Sequence, residues 1–320
     1  MHYSPVILIV YTRKNNLENL IESLKANSES KLTDLFIISD AASKEEDIKA
    51  VNEVRLYADS VTGFNSIKVI KPEKNSRIIK HNYVLETMES LLDRYGSFIC
   101  LEDDNIVSVH FLHFMNEALN YYKESPIINC ICGYSLPIKF PKKFSDQVYL
   151  GSRYSPWGIA MRKEWFYAID RSDFDRFKIA MSKPYKKKFL NIGHDFLDIL
   201  EKDSRGIINA DDARVVFHQI VNNQYSLFPT ISLVRNVGHD GTGEHCEKTD
   251  KFLVQLNNSP VYNIEMVLNP LPNKKILRAL SNYINYDSFL DRLYYIIKYI
   301  PKKILKKLNI YERIKNKVKG

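Results

Sequence analysis

The sequence predicts an α/β protein with a mostly parallel central sheet flanked by helices, and three observations carry that expectation. Over the first hundred residues, short apolar runs of strand length alternate with stretches of helical periodicity. One helix-like segment separates each run from the next, the βαβ arrangement that right-handed crossovers turn into a parallel sheet. The runs are apolar on consecutive residues, as strands covered on both faces are. At 320 residues the chain is long for one core, so one large domain or two intimately packed ones are expected.

Residues 5–11 (PVILIVY) read as the first buried strand. Apolar positions 17, 20, 21 and 24 then give helical spacing over 16–24. Residues 34–39 form a second strand, 44–57 a polar-faced helix and 66–70 a third strand. A long helix is expected over 78–95 and a fourth strand over 98–101. Further on, 111–122 reads as a helix and 127–132 as a strand, while 137–152 and 170–190 look loop-like or only partly helical. A short helix at 196–200, a helix at 211–221 and a strand at 231–237 complete the series.

The fourth strand ends abruptly in Glu102, Asp103 and Asp104. Like charges this close repel, so a basic side chain or a divalent cation is expected beside them. Hard cations choose carboxylate oxygens and often complete their shell with substrate phosphates. The plain alternative is a solvated acidic turn. In open parallel sheets ligands bind beyond the carboxyl ends of the strands. That topology brings together Thr12, Arg13, Asp40, residues 71–74 and the acidic triplet, a polar set able to hold a nucleotide.

Other motifs keep two readings each. The run 238–245 (GHDGTGEH) carries glycines that admit an anion and histidines that complete a metal shell, or it is only a turn. Asp211 reads as a helix N-cap or as a catalytic carboxylate. Trp157-Gly158 offers an aromatic platform or a core tryptophan, and His110 and His113 fit a surface pair on a helix.

The net charge of +8 is confined to one end. Residues 298–320 hold nine Lys and Arg against Glu312, which leaves residues 1–297 formally neutral. A basic body for nucleic acid is thereby excluded. Apolar positions 304, 305, 308, 311, 314 and 318 follow helical spacing among those lysines. Such a basic amphipathic helix suits an anionic membrane surface, or docks on the domain with its lysines solvated. No stretch approaches the ~20 apolar residues needed to span a bilayer, and no signal peptide pattern is present. The four cysteines lack metal-ligand spacing, and Cys100 and Cys130 lie in apolar runs as buried thiols, which suits a reducing compartment.

Several segments together resemble a known family. The residues LEDDN (101–105) with FLHFM (111–115), RIIKHNYVL (77–85), Trp157-Gly158 and PTISLVRNVGHDGTGEH (229–245) are similar to motifs of GT-A fold nucleotide-sugar glycosyltransferases. The likeness is to bacterial family-2-type polysaccharide and lipooligosaccharide transferases and, more distantly, to N-acetylglucosaminyltransferase I. It implies a GT-A domain over 1–255, with a nucleotide-binding half (1–105) and an acceptor half (106–255), followed by a helical extension over 256–320.

The resemblance also implies roles. Thr12, Arg13, Asp40, His81, Trp157 and Gly158 would bind the donor, and Asp103 its sugar or ribose. Asp104, with His245, would hold Mn²⁺ or Mg²⁺. The catalytic base would be Asp211, with Asp212 as the fallback, because the tryptophan that often precedes it is replaced by Ala210. One base, one metal and no enzyme nucleophile imply inversion. The expected partners are a UDP-type sugar nucleotide, a glycan or lipid-linked glycan acceptor and an anionic membrane, with no nucleic acid. The expected location is cytoplasmic, on the inner face of the membrane. Two alternatives stay open: a sugar nucleotidyltransferase, which would need a glycine-rich loop after the first strand, and a non-catalytic glycan-binding scaffold.

Overall fold

The computed structural model describes residues 3–79, 81–239 and 249–285. In chain order the elements are β1 (Val6–Val10), α1 (Lys14–Lys25), β2 (Asp34–Ser39), α2 (Ile48–Ser60), β3 (Ser66–Ile70), α3 (Ser76–Ile79), α4 (Tyr83–Tyr95), β4 (Ser97–Glu102) and β5 (Asn105–Val107). There follow α5 (Phe111–Tyr121), β6 (Ile128–Cys132), β7 (Val148–Gly151), β8 (Ile159–Arg162), α6 (Lys163–Tyr167), α7 (Arg176–Met181) and α8 (Lys186–Ile192). The remainder is α9 (His194–Ser204), α10 (Asp211–Asn222), β9 (Tyr225–Pro229), β10 (Val234–Asn236) and α11 (Lys274–Asn285).

Eight strands form one sheet in the order β3-β2-β1-β4-β8-β6-β9-β7, and β10 pairs with β5 in a separate ribbon. The four strands from residues 6–102 are all parallel, as the alternating sequence requires. The other four are mixed: β8 runs antiparallel to both β4 and β6, β6 and β9 are parallel, and β7 is antiparallel to β9. Alternate residues of the strands enter two cores. Val6, Leu8, Val10, Leu35 and Ile99 pack with Leu17, Leu20 and Ile21 of α1 and with Phe111 and Met115 of α5. Ile7, Phe36, Phe98 and Cys100 pack on the opposite face with Leu91 and Leu92 of α4, Phe166 of α6 and the helices α8 to α10. The expected α/β class, with a central sheet between helical layers, is what the chain adopts.

Some local expectations change. The single helix expected over 78–95 is broken into α3 and α4, and Asn82 starts the second piece by accepting a hydrogen bond from the Leu85 amide at 3.0 Å. Gly96 ends it with φ of 75°, a left-handed conformation that favours glycine. The loop-like stretch 137–152 contains β7, and 170–190 contains α7 and α8. Strands β5, β8 and β9 were not foreseen: each is five residues or fewer, too short to show a period. Residues 256–285 stay on the body. Ile264 is part of the first core and Ile276 of the second, and Tyr122 Oη donates to the Val267 carbonyl and accepts from its amide, both at 3.0 Å. Helix α11 lies beside α8 and β7. The basic tail and His245 lie outside the described residues.

Candidate active site

Parallel pairing of β1 with β2 and β4 puts the residues that follow these strands on one edge of the sheet. Thr12 and Arg13 follow β1, Asp40 follows β2, and the acidic triplet closes β4. The Arg13 guanidinium lies 3.2 Å from Asp104 Oδ2 and 3.7 Å from Asp103 Oδ1. One cation thus faces three carboxyl groups. Burial pushes the Glu102 carboxyl up to about 8, with Asp104, Asp212 and Asp103 adding repulsion against the pull of Arg13. Burial lifts Asp103 to about 6 and raises Asp104 as well, although Arg13 opposes both shifts. Glu102, at about 8, is therefore held in its protonated form at neutral pH.

The ribbon of β5 and β10 brings a distant segment onto the triplet. Asn105 pairs with Asn236 across it. Asp104 Oδ1 accepts hydrogen bonds from Asn236 Nδ2 (2.7 Å) and Asn105 Nδ2 (3.0 Å), and the Asp104 carbonyl accepts from the Val237 amide (2.8 Å). Gly238 passes so close that a β-carbon there would sit 2.1 Å from Asp104 Oδ2. Next to it, His239 packs edge-on against Trp157 at 5.2 Å and tilted against Phe252 at 5.0 Å. Its Nε2 is buried with no hydrogen-bond partner among the described residues.

Not every expected residue joins this group. Asp40 turns toward α3, accepting from the Ala41 amide (2.8 Å) and the Ser76 amide (3.1 Å). His81 is exposed, 2.9 Å from Glu86 Oε2 and edge-on to Tyr83. Gly158 is buried beneath the site. Its φ of +71° and a would-be β-carbon contact of 2.6 Å with Val234 give that glycine a backbone role. Trp157 lines the cleft and also packs edge-on against Tyr134 at 4.6 Å and Phe252 at 5.6 Å, as a partly buried core tryptophan does.

The opposite wall begins at α10, whose N-cap is Ala210 rather than Asp211. Asp211 and Asp212 are the first two helical residues, and they diverge. Asp211 is held by Arg171, with Nε 2.9 Å from Oδ1, while the Arg171 guanidinium stacks 4.0 Å over Phe166. Asp212 has no ion-pair or hydrogen-bond partner among the described residues. It opens onto the cleft yet is walled in by protein, and that desolvation, with repulsion from Asp211, lifts it to about 6 against the pull of Arg153. Asp212 lies near enough to Glu102 to raise it, so the two walls share one electrostatic field. Arg153 is fixed by a two-pronged pair with Asp195 at 2.9 and 2.8 Å, packed over Gly193. The Arg153–Asp195 pair is absent from the sequence reading; its partners are 42 positions apart and no spacing rule links them.

The donor set favours a hard cation that shares its shell with a ligand. Asp104 and Asp103 supply oxygens and His239 an uncommitted nitrogen, in a region with surplus negative charge. Among the described residues no group of three or more His, Cys, Asp or Glu could hold a metal ion. A cation at Asp103 and Asp104 would need further oxygens from a ligand to fill its shell.

No family model and no curated protein matches the sequence. Among solved structures the chain is similar to S. aureus TarS, with 13% identity over 71% of this chain and a TM-score of 0.36. It spans 37% of the length of that protein. It is also similar to the mannosyltransferase PcManGT from Pyrobaculum calidifontis, solved in complex with GDP-Man and Mn²⁺, with 12% identity, 68% of this chain, 69% of that one and a TM-score of 0.36. Neither likeness is close enough to carry a conclusion about chemistry.

Proposed function

We propose that the chain is a divalent-cation-dependent glycosyltransferase that moves a sugar from a nucleotide diphosphate donor to a hydroxyl of a glycan acceptor, with inversion. One observation carries this reading. An acidic triplet at the carboxyl end of a parallel strand lies close enough to Asp212, an unpaired carboxylate on the cleft, for the two to repel, and Trp157 and His239 line that same cleft. Of the motifs that resemble the GT-A family, LEDDN (101–105) supplies the triplet and Trp157 lines the cleft, whereas His81 of the 77–85 motif stands apart. Asp212, rather than Asp211, is the proposed base, because Asp211 is committed to Arg171. Asp104, Asp103 and His239 would hold Mn²⁺ or Mg²⁺, which supplies charge stabilisation to a departing diphosphate.

The residues of the chain do the rest. Arg13, beside the triplet, meets the negative charge of the phosphates. Asp212 accepts the proton as the acceptor oxygen attacks the anomeric carbon. That carbon's bond to the diphosphate oxygen breaks, and the nucleoside diphosphate leaves from the opposite face. Trp157 gives the sugar an aromatic wall. The basic tail is proposed to hold the enzyme at an anionic membrane on the cytoplasmic side, and UDP is the proposed carrier.

The test is calorimetric titration of UDP and GDP with and without Mn²⁺, followed by donor hydrolysis with a panel of sugar nucleotides. Manganese-dependent nucleotide binding lost in Asp104→Asn, together with slow hydrolysis, is the expected result. Absence of both removes the proposal.

A further inference from the structure

The cleft that reaches Asp212 continues well beyond it, to a total of about 2030 Å³. That exceeds the roughly 300–1,000 Å³ of a site for one small ligand. Its far walls are α8, α9, the turn before α10 and α11, and they are markedly cationic. Six basic side chains line the cleft, Arg153, Lys187, Lys188, Lys202, Lys274 and Arg278, against three carboxylates. Two of those carboxylates are already neutralised, Asp195 by Arg153 and Asp211 by Arg171. Lys188 meets the neutral Asn223 side chain at 2.7 Å and the Tyr185 ring, and no carboxylate among the described residues. Lys187, Lys202, Lys274 and Arg278 have no ion-pair partner among the described residues, and all four are exposed.

This excess belongs to the cleft and not to the body as a whole, since residues 1–297 are formally neutral. The donor's phosphates do not account for it either. Arg13, Asp40, Asp103 and Asp104 do not line this cavity, so the cations belong to a different lining from the donor edge. Five of the six come from three helices, α8, α9 and α11, and Arg153 from the loop after β7; α11 is drawn in by its packing beside α8. A wall of unpaired cations leading to a catalytic carboxylate selects a ligand of opposite charge and raises its local concentration.

We propose that the acceptor is an anionic glycan or polyol chain, bearing phosphodiester or carboxylate groups along its length. Its reacting hydroxyl sits at Asp212 and its neighbouring units lie along the cations of α8, α9 and α11. The assignment rests on the transferase reading above and adds the charge class of its second substrate.

The full-length protein is titrated calorimetrically with a glycerol phosphate oligomer, a galacturonate oligomer of matched length and a neutral maltooligosaccharide. The expected result is that at least one anionic oligomer binds about tenfold or more tightly than the neutral one, with the difference shrinking at high salt. Whichever oligomer binds better identifies phosphate or carboxylate as the source of the charge. Two variants, K187E/K202E and K274E/R278E, are each expected to weaken anionic binding several-fold. Manganese-dependent nucleotide binding, read on the same samples, should stay unchanged and reports that the variants are folded. Equal binding of charged and neutral oligomers, no binding of either, or no effect of both variants overturns the proposal. If nucleotide binding persists in that event, the acceptor class alone falls. If the wild-type protein also fails to bind nucleotide, the transferase reading falls with it.

Discussion

Asp211 and Asp212 are neighbours of the same type with different fates. In a helix, consecutive side chains point about 100° apart. One of them therefore meets Arg171 and the other meets the cleft. Asp212→Asn is expected to lower turnover about 10²- to 10⁴-fold with nucleotide affinity retained. Asp211→Asn, which removes a half-exposed ion pair, should change turnover only about threefold or less. Because a base works ionised and burial lifts Asp212 to about 6, the rate should rise with pH through about 6 and level above it. A steady-state pH profile measures this limb, and an unshifted limb near 4 would count against Asp212. Glu102 gives the second titration. Its folded pKa of about 8 lies above the ordinary carboxyl value, so its neutral form stabilises the fold fully at low pH, and that contribution disappears as pH rises through 8. Glu102→Gln should consequently raise the melting temperature by about 4 °C at pH 9 and change it little at pH 4.5. The sequence shows the acidic triplet plainly, because three adjacent carboxylates after an apolar run are a local pattern. The choice between Asp211 and Asp212 is not local, since Arg171 lies 40 positions from the residue it selects.

At the scale of elements, the ribbon of β5 and β10 sets the geometry of Asp104. It is short, yet it supplies both asparagines that hold Oδ1 and the backbone that closes over Oδ2. Gly238→Ala would force a β-carbon into that carboxylate. It is expected to weaken Mn²⁺ binding about tenfold or more, as disturbed supporting contacts around a metal ligand do. Titration followed by electron paramagnetic resonance reads the free Mn²⁺ directly, and unchanged affinity would show that Asp104 has room to move. The parallel strands β1 to β4 and helices α1, α2 and α5 were legible because burial imposes its period on them. Strands β8 and β9 were not, since runs of four or five residues are covered by the same chemistry whichever way they point. The break before Tyr83 is hidden by continuous helical spacing on both sides, and Asn82, the cap of α4, is its local signal.

On the scale of the whole molecule, the sequence separates a domain ending at 255 from an extension, whereas residues 256–285 are packed into both cores. Deleting everything after 255 would remove Ile264, Ile276 and the Tyr122–Val267 clasp, leaving their apolar partners facing water. The truncated chain is expected to be insoluble or to melt about 10 °C lower, which expression and scanning calorimetry would show. Equal stability would make the extension separable. The sheet itself has a seam. Residues 6–102 supply β3, β2, β1 and β4, residues 128–229 supply the other four strands, and the two sets meet only where β4 lies against β8. The triplet hangs from one side of that seam, and the cationic cleft with Asp212 belongs to the other. Neither side is self-sufficient, however: β10 crosses back to supply Asn236 and Gly238 to Asp104, and α11 adds Lys274 and Arg278 to the cleft. The late part of the chain therefore ties the halves together, and exchanging one half for another would have to carry β10 and α11 along with the antiparallel junction of four residue pairs.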